Sequence, residues 1–128
     1  MRIGHAAIWT KDLERLKDFY VKYFNGTPGE KYINARKQFE SYFISFEQGA
    51  KLEIMRNPTV VDSGCGEKQH AGYAHLAFST GSRESVDNLT GLLRDNGYIV
   101  TSGPRVTGDG YYESCILDPD GNMVEITE

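Results

Sequence analysis

Asp118-Pro119-Asp120-Gly121-Asn122-Met123-Val124-Glu125-Ile126 is the stretch whose reading decides the fold. Pro119 fixes one backbone angle and Gly121 is free to take a positive φ, so the first half is turn chemistry, and the second half alternates as a strand does. In that strand Val124 and Ile126 face one way, while Glu125 faces the other with Met123 and Thr127. A carboxylate opposite a buried face is either a solvated outer residue or a ligand in a lined cavity. The choice depends on the rest of the chain.

Working back from that turn, residues 112–117 read as a strand, 103–110 as a Gly-rich loop and 98–101 as another strand. Residues 83–96 carry Val86, Leu89, Leu92 and Leu93 on one helical stripe, with Glu84 and Asp87 near the positive end and Gly97 after it. Before this helix, residues 73–80 read as a strand in which Leu76 and Phe78 oppose His75 and Ala77.

The same order occurs earlier. Residues 3–9 form a weakly alternating strand that includes His5, and residues 11–25 form an amphipathic helix through Leu13, Leu16, Phe19, Tyr20, Tyr23 and Phe24. Asp12 is suited to cap that helix and Gly26 to end it in the left-handed conformation. A Pro28-Gly29 turn and a polar stretch follow, then strands at 42–46 and 51–55, the second with Leu52 and Ile54 on one face and Glu53 on the other. His5 and His75 stand 70 residues apart, and Glu53 and Glu125 stand 72 apart. A period of that length is too long for a solenoid unit and suits two copies of a strand, helix and three-strand module. The expected organisation is one domain, 1–128, with module 1 at about 1–57, a Gly-containing linker at about 58–72 and module 2 at about 73–128.

A chain of 128 residues suits a single core, burying roughly two thirds of the surface its unfolded form exposes. Fourteen Lys and Arg against eighteen Asp and Glu give a net charge of −4 with no basic tract, which argues against nucleic acid as partner. No apolar run approaches the roughly 20 residues of a membrane span, and the first residues lack the apolar core of a signal peptide. Two cysteines, Cys65 in a Gly-flanked loop and Cys115 in a strand, make no disulfide framework, so the expected location is the cytoplasm.

His5, Glu53, His75 and Glu125 thus share one description: each lies in a strand, opposite its aliphatic residues. Taken singly, such a His is commonly a hydrogen-bonded structural residue and such a Glu a solvated one. Their recurrence at matched places in two modules favours a common purpose. Two imidazoles and two carboxylates make a mixed nitrogen and oxygen set suited to a divalent first-row metal, with positions left open for water or a substrate oxygen. His70, in the polar loop, reads as solvated.

These residues resemble the glyoxalase, bleomycin-resistance and dioxygenase superfamily, also called vicinal oxygen chelate proteins, over nearly the whole chain. The Asp118-Pro119-Asp120-Gly121 turn marks the superfamily, and the four-ligand set His5, Glu53, His75 and Glu125 is similar to that of the glyoxalase I branch. The resemblance implies an α+β fold of two tandem βαβββ modules forming a curved mixed sheet around a metal-binding cavity. It also implies a homodimer and one divalent ion per site. A His at the first ligand position is similar to the class activated by nickel or cobalt, and zinc also suits the donors.

The implied activity is lactoylglutathione lyase-like: a hemithioacetal of methylglyoxal and a thiol such as glutathione becomes the 2-hydroxyacyl thioester by proton transfer through an enediolate. Glu125 is the implied base, with Glu53 as its counterpart. Four residues after His5 the branch has an arginine for a glutathione carboxylate, where this chain has Trp9, whereas Asn57 matches an asparagine that contacts glutathione. Trp9, Asn57, Met55, Tyr111 and Tyr112 are expected to meet substrate, and Arg56 and Arg105 are further sources of positive charge. The alternatives are a bleomycin-resistance-like protein that sequesters an aromatic molecule, a related epimerase or a thiol transferase.

Overall fold

The computed structural model describes residues 1–61 and 71–128, which leaves Cys65, Lys68 and His70 outside the described residues. The architecture is α+β, in two compact units, Met1–Ser63 and Gly64–Glu128. Unit 1 runs β1 (His5–Trp9), α1 (Leu13–Phe24), β2 (Thr27–Pro28), β3 (Tyr32–Asn34), β4 (Phe39–Ser45) and β5 (Lys51–Arg56). Unit 2 runs β6 (Leu76–Ser79), α2 (Arg83–Asp95), β7 (Val100–Val106), β8 (Tyr112–Leu117) and β9 (Met123–Thr127).

Each unit has the same sheet logic. In unit 1 the order is β1-β5-β4-β2, with β3 also on β4; in unit 2 it is β6-β9-β8-β7. The first strand pairs parallel with the last, Ala6 against Leu52 and Leu76 against Val124, and the remaining pairs are antiparallel. Parallel neighbours need a long crossover, and the helix with its following strands supplies it.

The period-2 alternation then separates two faces. In unit 1, Leu52 and Ile54 of β5 and Ile44 of β4 are buried together with Leu13, Leu16, Phe19, Tyr20 and Tyr23 of α1. In unit 2, Val124 and Ile126 of β9 and Ile116 of β8 are buried together with Val86 and Leu93 of α2. Each such side chain contributes about 1.5–3 kcal/mol when withdrawn from water.

Local signals account for most of the boundaries. Asp12 caps α1, its carboxylate accepting from the Arg15 amide at 3.1 Å, and Ser82 caps α2 by accepting from the Ser85 amide at 3.2 Å. Asn25, with φ of 53°, takes the left-handed position that ends α1, and not Gly26 as the sequence suggested. Gly26 is needed for another reason, since a Cβ there would lie 2.5 Å from Ile44 Cγ2. Leu92 lies off the buried stripe of α2, where Thr90 takes the core position.

Three strand readings are corrected. Thr27 and Pro28 pair with Ser45 and Ile44 as β2, so Pro28 belongs to an edge strand and not to a turn. Residues 32–34, read as part of a polar, weakly patterned stretch, pair with β4. β7 continues to Val106 through the stretch read as a Gly-rich loop, because a bulge absorbs Gly103 and Pro104 without ending the ladder. Among the described residues no helix is long and apolar enough to cross a membrane.

Candidate metal centre

The face of each sheet turned away from its helix carries the proposed donors. In unit 1, Ala7 pairs with Glu53 and Glu53 with Phe43, so these side chains stand in one cross-strand row, with His5 one row back on β1. His5 Nε2 lies 3.8 Å from Glu53 Oε2. In unit 2, Ala77 pairs with Glu125 and Glu125 with Cys115. His75 Nε2 lies 3.5 Å from Glu125 Oε2.

His75 itself immediately precedes β6, which begins at Leu76, so it is not inside a strand as expected. It nevertheless stands where His5 stands in the first unit, diagonal to the carboxylate two residues along the parallel neighbour. The carboxylates are the sheltered partners, 16% exposed for Glu53 and 18% for Glu125, while both imidazoles present more open edges. Bonds of about 2.1 Å from such a nitrogen and oxygen to one ion would subtend an angle of roughly 110–130° at these separations, so each pair fits as two ligands of a divalent metal.

The two pairs differ in their surroundings. The His5 ring meets Phe43 edge-on at 5.4 Å and 85°, an apolar flank for Glu53. Glu125 has polar company: Glu113, Cys115 and Glu125 offer donor atoms that all lie within 4.8 Å of one another. Burial, then the Glu125 charge, raise the Glu113 carboxyl, with Arg105 opposing. Burial and the two carboxylates push the Cys115 thiol up as well, which keeps it protonated at neutral pH. Glu113 escaped the sequence reading, although the alternation of Glu113, Cys115 and Leu117 against buried Ser114 and Ile116 was a visible signal.

The residues expected to meet substrate fall in different places. Trp9 pairs with Met55, two residues past Glu53 on the same face, and its half-exposed indole meets Phe39 edge-on at 6.0 Å, with Tyr32 beyond at 6.1 Å from Phe39. Asn57 follows β5, and its side-chain oxygen accepts from the Thr59 amide and hydroxyl at 2.9 and 2.7 Å, holding a local turn. Tyr111 is exposed just before β8. Tyr112 stands on the helix side: its hydroxyl donates to Asp87 Oδ1 at 2.6 Å and Arg83 covers its ring at 5.1 Å. It is therefore withdrawn from the face that carries Glu125. Arg56 is likewise on the helix side, 3.3 Å from Glu40.

Residues 2–126 match the family model of the Glyoxalase/Bleomycin resistance protein/Dioxygenase superfamily. The chain belongs to this superfamily. Solved structures with the same fold include a trypanothione-dependent glyoxalase I from Leishmania major, 21% identical with a TM-score of 0.79 over 100% of this chain and 86% of that one. A glyoxalase I mutant from Zea mays is 24% identical with a TM-score of 0.81, covering 98% of this chain but 44% of the maize chain. A glyoxalase family protein from Enterococcus faecalis is 23% identical with a TM-score of 0.79, over 98% and 96% of the two chains. No curated protein matches the chain. At these identities the likeness to other glyoxalase-superfamily structures is one of fold, and the chemistry has to be argued from the residues.

Proposed function

We propose that His5, Glu53, His75 and Glu125 together hold one divalent ion, nickel or cobalt by preference with zinc also suited, and that the protein is a glyoxalase I-type lyase. The observation that carries this reading is the repeated pair: an imidazole and a carboxylate at 3.8 Å in one unit and at 3.5 Å in the other, in the same sheet position. The substrate class is the hemithioacetal of a small 2-oxoaldehyde such as methylglyoxal with a thiol. The ion would supply positive charge against the enediolate oxygens that develop as the proton moves.

Glu125 takes the proton from the carbon bearing sulfur and returns it to the neighbouring carbon. The asymmetry between the carboxylates supports that assignment, since Glu125 is flanked by Cys115 and Glu113 and Glu53 by the Phe43 ring. Trp9, Met55 and Asn57 would border the substrate. The protein would act as a homodimer on a small molecule in the cytoplasm.

The test is metal content by mass spectrometry followed by turnover of methylglyoxal hemithioacetals with nickel, cobalt or zinc restored. One ion per chain is expected, with Glu125→Gln and His75→Gln each losing most of the bound metal and at least a hundredfold in turnover. Two ions per chain would separate the pairs into independent sites and overturn the shared centre, and stoichiometric metal without thioester product would overturn the lyase.

A second reading, a protein that sequesters a flat aromatic molecule, draws on the Trp9, Phe39 and Tyr32 edge contacts. It requires an aromatic ligand to raise the melting temperature while no divalent ion does.

A further inference from the structure

Each unit lays down a cross-strand row one step beyond its carboxylate, and the two rows differ in chemistry. In unit 1 the row is Trp9 on β1, Met55 on β5, Ser41 on β4 and Tyr32 on β3. In unit 2 the matched positions are Ser79, Thr127, Glu113 and Arg105, the last aligned with Glu113 by the β7 bulge. Polar side chains therefore complete this row in one copy of the module, and the fold itself asks for no rings in the other.

The rings of unit 1 are nevertheless left in water. Trp9 is 47% and Tyr32 54% exposed, whereas Ser41 between them in the row is 2% exposed. Phe39 joins the two, meeting Trp9 edge-on at 6.0 Å and Tyr32 at 6.1 Å, so that the strands are covered by one apolar shelf. Rings packed edge-on keep flat faces open to a further ring, and a grouped apolar surface left in water marks a place where something binds. Charge is kept away from it. Lys17, Lys31 and Arg56 engage Glu14 and Glu40 on the helix side, and Lys51 stands at the other end of the face, across from His5.

From these observations we infer that the shelf of Trp9, Met55, Phe39 and Tyr32 recognises a flat, uncharged aromatic ring carried by the thiol part of the substrate. This rests on the lyase reading above and makes the thiol an aryl-bearing one. Spacing puts the ring on the thiol: Met55 lies two residues past Glu53, about 6–7 Å along the strand. A ring reached through sulfur and a methylene spans that row, whereas a ring borne directly on the carbonyl carbon stops short of it.

Trp9 is the sole tryptophan of the chain, so its emission reads the shelf directly. Adding 2-(benzylthio)ethanol, an unreactive probe, to the full chain is expected to change that emission saturably, and 2-(methylthio)ethanol to leave it unchanged. Turnover by the metal-loaded chain then compares the methylglyoxal hemithioacetals of benzyl mercaptan and of 2-mercaptoethanol. Trp9→Ser, which copies the matched residue of unit 2, is expected to lower the ratio of kcat/KM for the benzyl over the hydroxyethyl substrate about tenfold, through KM, with Trp9→Phe recovering part. The hemithioacetal of phenylglyoxal with 2-mercaptoethanol should lose no more to Trp9→Ser than that of methylglyoxal. An emission indifferent to the benzyl probe, or a benzyl preference that is the same in the wild type and Trp9→Ser, would overturn the subsite. A loss confined to the phenylglyoxal substrate would overturn its place on the thiol. If neither methylglyoxal hemithioacetal turns over in the wild type, the lyase reading fails while the emission of Trp9 still decides whether the shelf takes a ring.

Discussion

Thr90 and Ser114 bring two hydroxyls into the core of unit 2, where Thr90 Oγ1 lies 2.6 Å from the Val86 carbonyl and 2.6 Å from Ser114 Oγ. Each satisfies the other, so the pair costs little while intact. Thr90→Val leaves the Ser114 hydroxyl buried without this partner and should lose about 1–3 kcal/mol in denaturant unfolding. Thr90→Val with Ser114→Ala should recover part of that loss, and a double-mutant cycle that came out additive would refute the coupling. Nothing in the sequence announced this pair, because a helix Thr and a strand Ser meet only once both faces are known.

At the scale of the element, the turn before β9 is organised by one buried carboxylate. Asp118 Oδ1 accepts from the amides of Asp120 and Asn122 at 2.9 Å each, and Oδ2 accepts from Asn122 Nδ2 at 2.9 Å. The turn fixes where β9 starts and hence which face Glu125 occupies. Asp118→Ala should destabilise by about 2–3 kcal/mol, since hydrogen bonds to a charged group are lost together, and should lower metal affinity as well; the first is read by urea titration, the second by metal retention on dialysis.

The start of α1 carries a different kind of charge. The Glu14 carboxylate is held down to about 2 by Lys17 first, then by Lys31 and the Tyr42 hydroxyl, against the opposing effect of burial. A depressed carboxyl contributes stability above its ordinary value of 4.5 and loses it as pH falls towards 2. Glu14→Gln should therefore flatten the acid limb of the stability curve between those values. Because Glu14 is half exposed, the loss at neutral pH should stay below about 1 kcal/mol.

These elements also show what could be read in advance. Both helices, β5, β8 and β9 were legible because apolar side chains recur at their proper period with caps or turns beside them. β7 was cut short because Gly103 and Pro104 signal a loop, and only the paired ladder shows that a bulge accommodates them. That error hid the facing of Arg105, which depends on the bulge. β2 and β3 were missed because two and three residues at an edge carry too little pattern.

For the whole molecule, the duplicated His and Glu spacing was the most informative signal, since it named the candidate donors and the two-module fold together. The sequence could not supply the difference between the two sheets, aromatic around His5 and acidic around Glu125, which arises from cross-strand register. Among the described residues each sheet draws its strands from one unit alone, and each closes by setting its opening strand beside its closing one. Each ladder is thereby complete within one half of the chain, so a half-length chain would hold every strand its own sheet needs. Neither sheet constrains the other's register, so the open face of one can carry rings and that of the other charge.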